Sequence, residues 1–236
     1  MLLFLPESPA WLASRGSAAG PKPPAPLRAL FRPPLLRVTL VGITLGSIPL
    51  VGAWAASKWM IPWADEIGKA VRTDYKAVTQ GWWAAGAIIG SLVGAQIAAL
   101  LGRRLSYFLI SVGSFALTYA MFQFTAPLTT SFLPVVFAQG LVATLFFGWL
   151  PLYLPELFPT PVRATGSGIS YNVGRFVTAA GVLAAGGLFV TLGGSYPRIG
   201  AASGMVYLLG IVAIRWAPDT SGRDLAAPRI SRSSTP

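Results

Sequence analysis

The sequence predicts an all-α, polytopic membrane protein with six transmembrane helices. Three observations carry that prediction. Of 236 residues, 54% are apolar and 11% are charged, whereas soluble domains carry about 25% charge. The charges gather in short stretches between apolar blocks. Six of those blocks reach the ~20 residues needed to cross a hydrocarbon core of ~30 Å.

The elements follow in chain order. Met1–Leu5 is apolar but too short to span, and no charged segment precedes it as in a secretory signal. It reads as the tail of a helix whose body is absent. Residues 13–34 are rich in Ala, Ser, Gly and Pro and carry Arg15, Lys22, Arg28 and Arg32. That composition cannot build a core and predicts a flexible linker. The expected spans are Leu36–Ser57, Val78–Leu101, Leu105–Phe124, Phe132–Leu154, Ile169–Leu192 and Ile199–Trp216. Together they form a bundle over residues 35–217. The tail, 218–236, resembles the linker in composition and is expected to be disordered.

Between the fourth and fifth spans lies a short polar hairpin, Pro155–Gly168, flanked by long apolar runs. Gly86, Gly90 and Gly94 share one face of the second span, and Gly42 and Gly46 one face of the first. Such glycines let a neighbouring backbone approach closely. Pro49, Pro134 and Pro151 fall inside spans, where proline kinks or breaks a helix. Broken helices at bilayer depth line cavities. The first and fourth spans are therefore the candidates for a pathway.

With the linker placed inside, twelve loop cations fall on that side and five on the other, Lys58, Lys69, Arg72, Lys76 and Arg198. The imbalance and the even span number put both termini in the cytoplasm of a plasma-membrane protein. The net charge of +11 thus orients spans rather than recruiting nucleic acid. The chain has no Cys and no His, so no thiolate, no imidazole relay and no common metal ligand set exists. No carboxylate lies within a span. These absences argue against an enzyme, a metal and a cofactor.

Several loop sequences carry a resemblance. Pro155-Glu156-Leu157-Phe158-Pro159-Thr160, then Arg163, Gly166-x-Gly168 and Gly174-Arg175, resemble the loop between the tenth and eleventh helices of major facilitator superfamily transporters. Leu101-Gly102-Arg103-Arg104 resembles the turn between their eighth and ninth helices. Pro6-Glu7-Ser8-Pro9-Ala10-Trp11-Leu12 resembles the sugar-porter signature after the sixth helix, with Ala10 where Arg is usual. Pro218-Asp219-Thr220-Ser221-Gly222 resembles the Pro-Glu-Thr-Lys-Gly signature after the twelfth. The resemblance implies helices seven to twelve, the C-terminal bundle, with residues 1–34 the end of a truncated sixth helix and a cytoplasmic linker. It implies as partners the lipid bilayer, a small-molecule solute, an N-terminal six-helix half and a coupling proton. Two departures stand out. Ala99 occupies the place of an Asp usual before the Gly-Arg-Arg turn. The first span lacks the Gln-Gln-x-Ser-Gly of sugar porters, while Gly174-Arg175 is similar to relatives that move organic acids, nicotinate-like aromatic acids or other small ions, so a non-sugar solute is favoured.

Site residues follow. Glu156 and Arg163 lie seven apart across the hairpin, with Arg103 and Arg104 in the neighbouring turn. Opposite charges there can bridge when the cytoplasmic side closes, forming a gate latch, or can merely anchor loops. Glu7 and Asp219 join the same layer. Arg175 sits about two turns into the fifth span, where a charge costs ~2.5–3.5 kcal/mol. It can snorkel, pair with Glu156, or meet an anionic substrate. Trp54, Gln80, Gln139 and Asn172 are candidate pathway residues, large or hydrogen-bonding groups within spans. The alternative to a transporter half is a membrane-embedded module, inactive or partner-dependent, that acts only through interaction.

Overall fold

The computed structural model describes residues 26–221, with the side chains of Pro26 and residues 55–58 left aside. Glu7, the signature at Pro6–Leu12, the first part of the linker and the tail beyond Ser221 lie outside the described residues. Among those described there are helices and no strand. The elements are α1 (Pro26–Leu30), α2 (Leu35–Gly68), α3 (Tyr75–Leu101), α4 (Arg103–Gln123), α5 (Phe132–Leu157), α6 (Arg163–Thr191), α7 (Tyr196–Gly204) and α8 (Val206–Ala213). A 3₁₀ turn, Thr160–Val162, leads into α6, and another, Ile214–Trp216, ends the α8 segment. Counting α7 and α8 as one, six helical segments are long and apolar enough to cross a membrane.

The helices run up and down. Both ends of the described chain, the Gly102 turn and the 158–162 turn lie at one end of the bundle. The 69–74, 124–131 and 192–195 connections lie at the other. The tightest reversal is Gly102, whose φ of +84° is open to glycine at little cost. It joins α3 to α4 with no further loop. The hairpin expected over Pro155–Gly168 is much shorter. Helix α5 runs to Leu157 and α6 starts at Arg163. Phe158 is extended (ψ 143°) because it precedes Pro159, which disfavours the helical region there.

Two further boundaries differ from the sequence expectation. The first span continues past Ser57 to Gly68. Its extra turns carry Met60, Trp63 and Ala64, all buried. Trp63 stacks on Phe122 and meets Phe132 edge to face, with centroids 5.7 and 5.6 Å away. Burial of those rings outweighs the polar residues that suggested a loop. Neither Pro49 nor Pro62 breaks α2, and neither Pro151 nor Pro155 breaks α5. The interruption falls instead at Met205, between α7 and α8, where no proline stands.

Helix α5 is the buried centre, packed on α3, α4 and α2. A Cβ at Gly86, Gly90 or Gly94 would run into the carbonyl oxygens of Phe137, Leu141 and Leu145 on α5. From the other side, a Cβ at Gly148 would lie 2.7 Å from the Ala95 nitrogen. These contacts bring α3 and α5 together backbone to backbone, and Thr144 adds a hydrogen bond from its hydroxyl to the Ala87 carbonyl at 3.0 Å. One core cluster centres on Tyr107, Phe146, Trp149, Tyr153 and Tyr207; a second, toward the opposite end, on Trp63, Tyr75, Phe122 and Phe132.

Candidate transport cavity and charged cluster

The α3–α4 turn and the end of α5 bring charges together. Trp149, Tyr153 and Glu156 follow at helical spacing on one face of α5. Gly102 starts α4 so that Arg103 meets that face. Arg103 Nη2 lies 2.6 Å from Glu156 Oε1, and Nε donates to Oε2 at 3.1 Å. The pair is a two-pronged, charge-assisted contact, with side chains 13% and 3% exposed. The Thr220 hydroxyl donates to Glu156 Oε2 at 2.5 Å. Arg103 Nη1 donates to the Ala98 carbonyl at 3.3 Å, and Trp149 Nε1 to the Arg103 carbonyl at 2.8 Å.

The segment after α8 straps over this pair. Tyr153 donates its hydroxyl to the Pro218 carbonyl at 2.7 Å, and the Arg103 N–H donates to Ser221 Oγ at 3.4 Å. Arg104 turns away and donates to the Arg215 carbonyl at 2.9 Å. Asp219 Oδ1 accepts the Ser221 N–H at 3.0 Å. That bond, the Ser221 hydroxyl and the nearby Arg104 and Arg103 guanidiniums hold the Asp219 carboxyl below the ordinary carboxylate range. Of the charges named from sequence, Glu156 therefore has its salt bridge to Arg103. Arg163 heads α6, where its Nε donates to the Phe158 carbonyl at 3.4 Å.

Helices α2 and α6 pinch together and then part. A Cβ at Gly46 would lie 2.6 Å from the Ser170 carbonyl, and one at Gly174 2.8 Å from Ser47 Cα. Beyond this pinch opens a cavity of 820 Å³ lined by Leu50 and Trp54 of α2, Phe147 of α5, and Tyr171, Arg175 and Thr178 of α6, among others. A second cavity of 660 Å³ continues toward the far end, between Trp54, Trp59 and Pro62 on one side and Gly181, Gly186 and Leu188 on the other. There Trp59 stacks on Phe189 (centroids 5.6 Å). Phe189 in turn meets Tyr196 at 4.8 Å.

Arg175 is the charged group among the residues lining the larger cavity. Its guanidinium sits 5.0 Å from the Tyr171 ring centroid, a cation–π contact. No salt bridge among the described residues includes it. Pairing with Glu156 is not what the structure shows, since that carboxylate is bound by Arg103 and Thr220. Arg175 is twelve residues from the start of the 29-residue α6, about 18 Å along a helix of about 43 Å. Centred on a ~30 Å core, it lies about 11 Å inside the boundary, deep for snorkelling.

Among the other candidates, Trp54 lines both cavities and is half-exposed. Gln139 is fully buried away from them. Its carbonyl accepts Trp83 Nε1 at 2.8 Å, and its amide donates to the Thr118 hydroxyl at 3.4 Å, tying α3, α4 and α5. Asn172 is exposed and donates to the Gly168 carbonyl at 2.8 Å. Gln80 is half-buried. Neither Asn172 nor Gln80 lines the two cavities. Sequence reasoning missed Tyr171 and Thr178, which stand at i−4 and i+3 from Arg175. Helical spacing alone puts all three on one face.

No protein-family model matches the chain, and no solved structure matches it. Curated proteins do. A protein of Cupriavidus pinatubonensis named "Probable 4-methylmuconolactone transporter" is 29% identical over 76% of this chain and 42% of its own length. The "Cis,cis-muconate transport protein" of Acinetobacter baylyi is 28% identical over 83% of this chain and 50% of its own. The "Inner membrane metabolite transport protein YhjE" of Escherichia coli is 40% identical over 42% of this chain and 24% of its own. The chain thus spans at most half the length of these relatives. It is similar to bacterial transport proteins, and with its six apolar helices it fits an integral membrane transporter of the major facilitator type.

Proposed function

We propose that the chain forms the C-terminal six-helix half of a secondary transporter that moves a small organic anion by alternating access. The observation that carries this reading is the position of Arg175, near mid-depth and facing a largely apolar cavity with no salt-bridge partner among the described residues. A guanidinium so placed is costly unless an anion meets it, and a carboxylate does so through paired, charge-assisted hydrogen bonds. Trp54, Tyr171 and Phe147 supply flat apolar walls for an unsaturated carbon skeleton. Two relatives named for muconate-type solutes support the class, since cis,cis-muconate is a dicarboxylate.

In this reading both termini face the cytoplasm, an N-terminal half completes the cavity, and any coupling proton is carried by that half. The Arg103–Glu156 pair stiffens the cytoplasmic end during the cycle rather than bridging the halves, because both its residues lie in this chain. The decisive experiment is uptake of radiolabelled cis,cis-muconate in cells that express this chain joined to the N-terminal half. Arg175→Gln is expected to cut uptake 10- to 100-fold, the equivalent of one lost charged hydrogen-bonded contact. Arg175→Lys, which keeps the charge without the fork, retains an intermediate rate. Unchanged uptake in Arg175→Gln refutes the assignment. A second reading, a half that acts only through a partner, draws on the same half-length coverage of the relatives. Under either reading, proteoliposomes holding these 236 residues alone show no saturable uptake, and uptake by them refutes the need for a second half.

A further inference from the structure

A third concavity lies apart from the cavity and from the Arg103–Glu156 pair. It is a groove of 540 Å³ between the start of α2 and the end of α8, at the bundle end that carries both chain ends. Its walls are Leu36, Arg37, Leu40, Val41, Ala213 and Trp216. Leu40 and Trp216 are 52% and 58% exposed. We propose that this groove is a binding site for an anionic phospholipid, with the phosphate at Arg37 and Arg215 and an acyl chain along the α2 wall. The proposal rests on the membrane-spanning reading of the helices and not on the transport reading.

Charge complementarity selects the head. Arg37 lines the groove and Arg215 immediately precedes Trp216, and no salt bridge among the described residues includes either. Both are exposed. Arg104 is fastened to the same place, donating to the Arg215 carbonyl at 2.9 Å, so a third guanidinium adds to the positive field. The opposing charge nearby is Asp219, whose carboxylate accepts the Ser221 N–H. Basic clusters at a membrane surface attract anionic lipid by roughly fivefold in affinity per Arg, the equivalent of ~1 kcal/mol.

The walls select a lipid over a soluble anion. From Leu36 the groove descends past Leu40 to Thr44, eight residues or about 12 Å along the helix toward the membrane interior. Thr44 makes no polar demand there, because its hydroxyl already donates to the Leu40 carbonyl at 2.9 Å. Trp216 stands where an amphipathic ring prefers to lie, at the junction of headgroups and chains. A free phosphate would leave this apolar length unused.

The test is a thermal-shift titration of the purified full chain in neutral detergent with dioleoylphosphatidylglycerol, dioleoylphosphatidylcholine or sn-glycerol 3-phosphate. Phosphatidylglycerol is expected to stabilise saturably, phosphatidylcholine much more weakly, and glycerol phosphate not at all. The double variant Arg37→Gln/Arg215→Gln should need about 25-fold more phosphatidylglycerol, while Arg198→Gln at the opposite end behaves as wild type. Equal stabilisation by phosphatidylcholine, or by glycerol phosphate, overturns the proposal, as does an unshifted titration of the double variant. Should that variant fail to accumulate, quenching by brominated phosphatidylglycerol decides. The quenched fraction is expected to fall in Trp216→Phe, and no fall overturns the site.

Discussion

Removing the two partners of the Arg103–Glu156 pair separately should have unequal consequences. Glu156 is 3% exposed and Arg103 13%. In Arg103→Gln, a carboxylate remains in the interior with only the Thr220 hydroxyl to compensate it. Breaking a buried pair in this way costs about 3–5 kcal/mol. In Glu156→Gln, the amide oxygen still accepts from Thr220 or Arg103, and the more exposed guanidinium can turn toward water. The loss is then that of a charged hydrogen bond, about 1.5–3 kcal/mol. The double variant removes both charges and should be less destabilised than the sum of the two by at least ~1 kcal/mol. The assay is reversible unfolding in mixed SDS–detergent micelles, followed by tryptophan fluorescence. If Glu156→Gln proves as costly as Arg103→Gln, or the two effects simply add, burial is not what makes this pair strong.

Two further outcomes can be checked with the same assay. Gly90→Ala should destabilise by about 1–3 kcal/mol, because its Cβ would meet the Leu141 carbonyl and come within 2.5 Å of Thr144 Oγ1. Gly81→Ala, with nothing within 4 Å of its Cβ, should be neutral or gain up to ~1 kcal/mol from helix propensity; a loss at Gly81 equal to that at Gly90 contradicts the packing argument. The Asp219 pKa is depressed in the folded chain, so its contribution is present above its unfolded value, near 4, and is lost as pH falls through the folded one. The stability difference between wild type and Asp219→Asn should therefore shrink below about pH 4, and a difference that persists to pH 2 argues against the Asp219–Ser221 contact.

The spans were readable because length and polarity suffice to mark a bilayer crossing, whatever the packing. Their ends were less so. Lys58, Pro62 and Asp65 read as a loop, yet Met60, Trp63 and Ala64 are held in helix by rings that come from α4 and α5. Those are partners some 60 residues away that no local pattern reveals. Glu156 and Arg103 could both be named from charge alone. That they could bridge was also legible, but which of Arg103, Arg104 and Arg163 Glu156 takes was not, because the Thr220 hydroxyl and the Gly102 turn that select Arg103 are tertiary facts. Gln139 shows the reverse problem. In α5, apolar on nearly every side, periodicity gives no direction, so an amide satisfied by Trp83 looks the same in sequence as one facing solute. Arg175 was legible as an anomaly by depth, and its cavity only from the divergence of α2 and α6.

That divergence makes α6 a lever with unequal fastenings. Near Gly174 the two backbones touch, and small residues leave no slack. At the far end the hold is aromatic, Trp59 against Phe189, a contact of about 0.5–1.5 kcal/mol beyond its burial. Phe189 lies fifteen residues from Gly174, an arm of about 22 Å, so rocking by about 10° carries it about 4 Å. A fastening worth one or two units of thermal energy yields before a glycine fulcrum does. Rocking of α6 is therefore expected to widen the second cavity, which Trp59 lines, while the Gly46 and Gly174 contacts below the Arg175 cavity stay fixed.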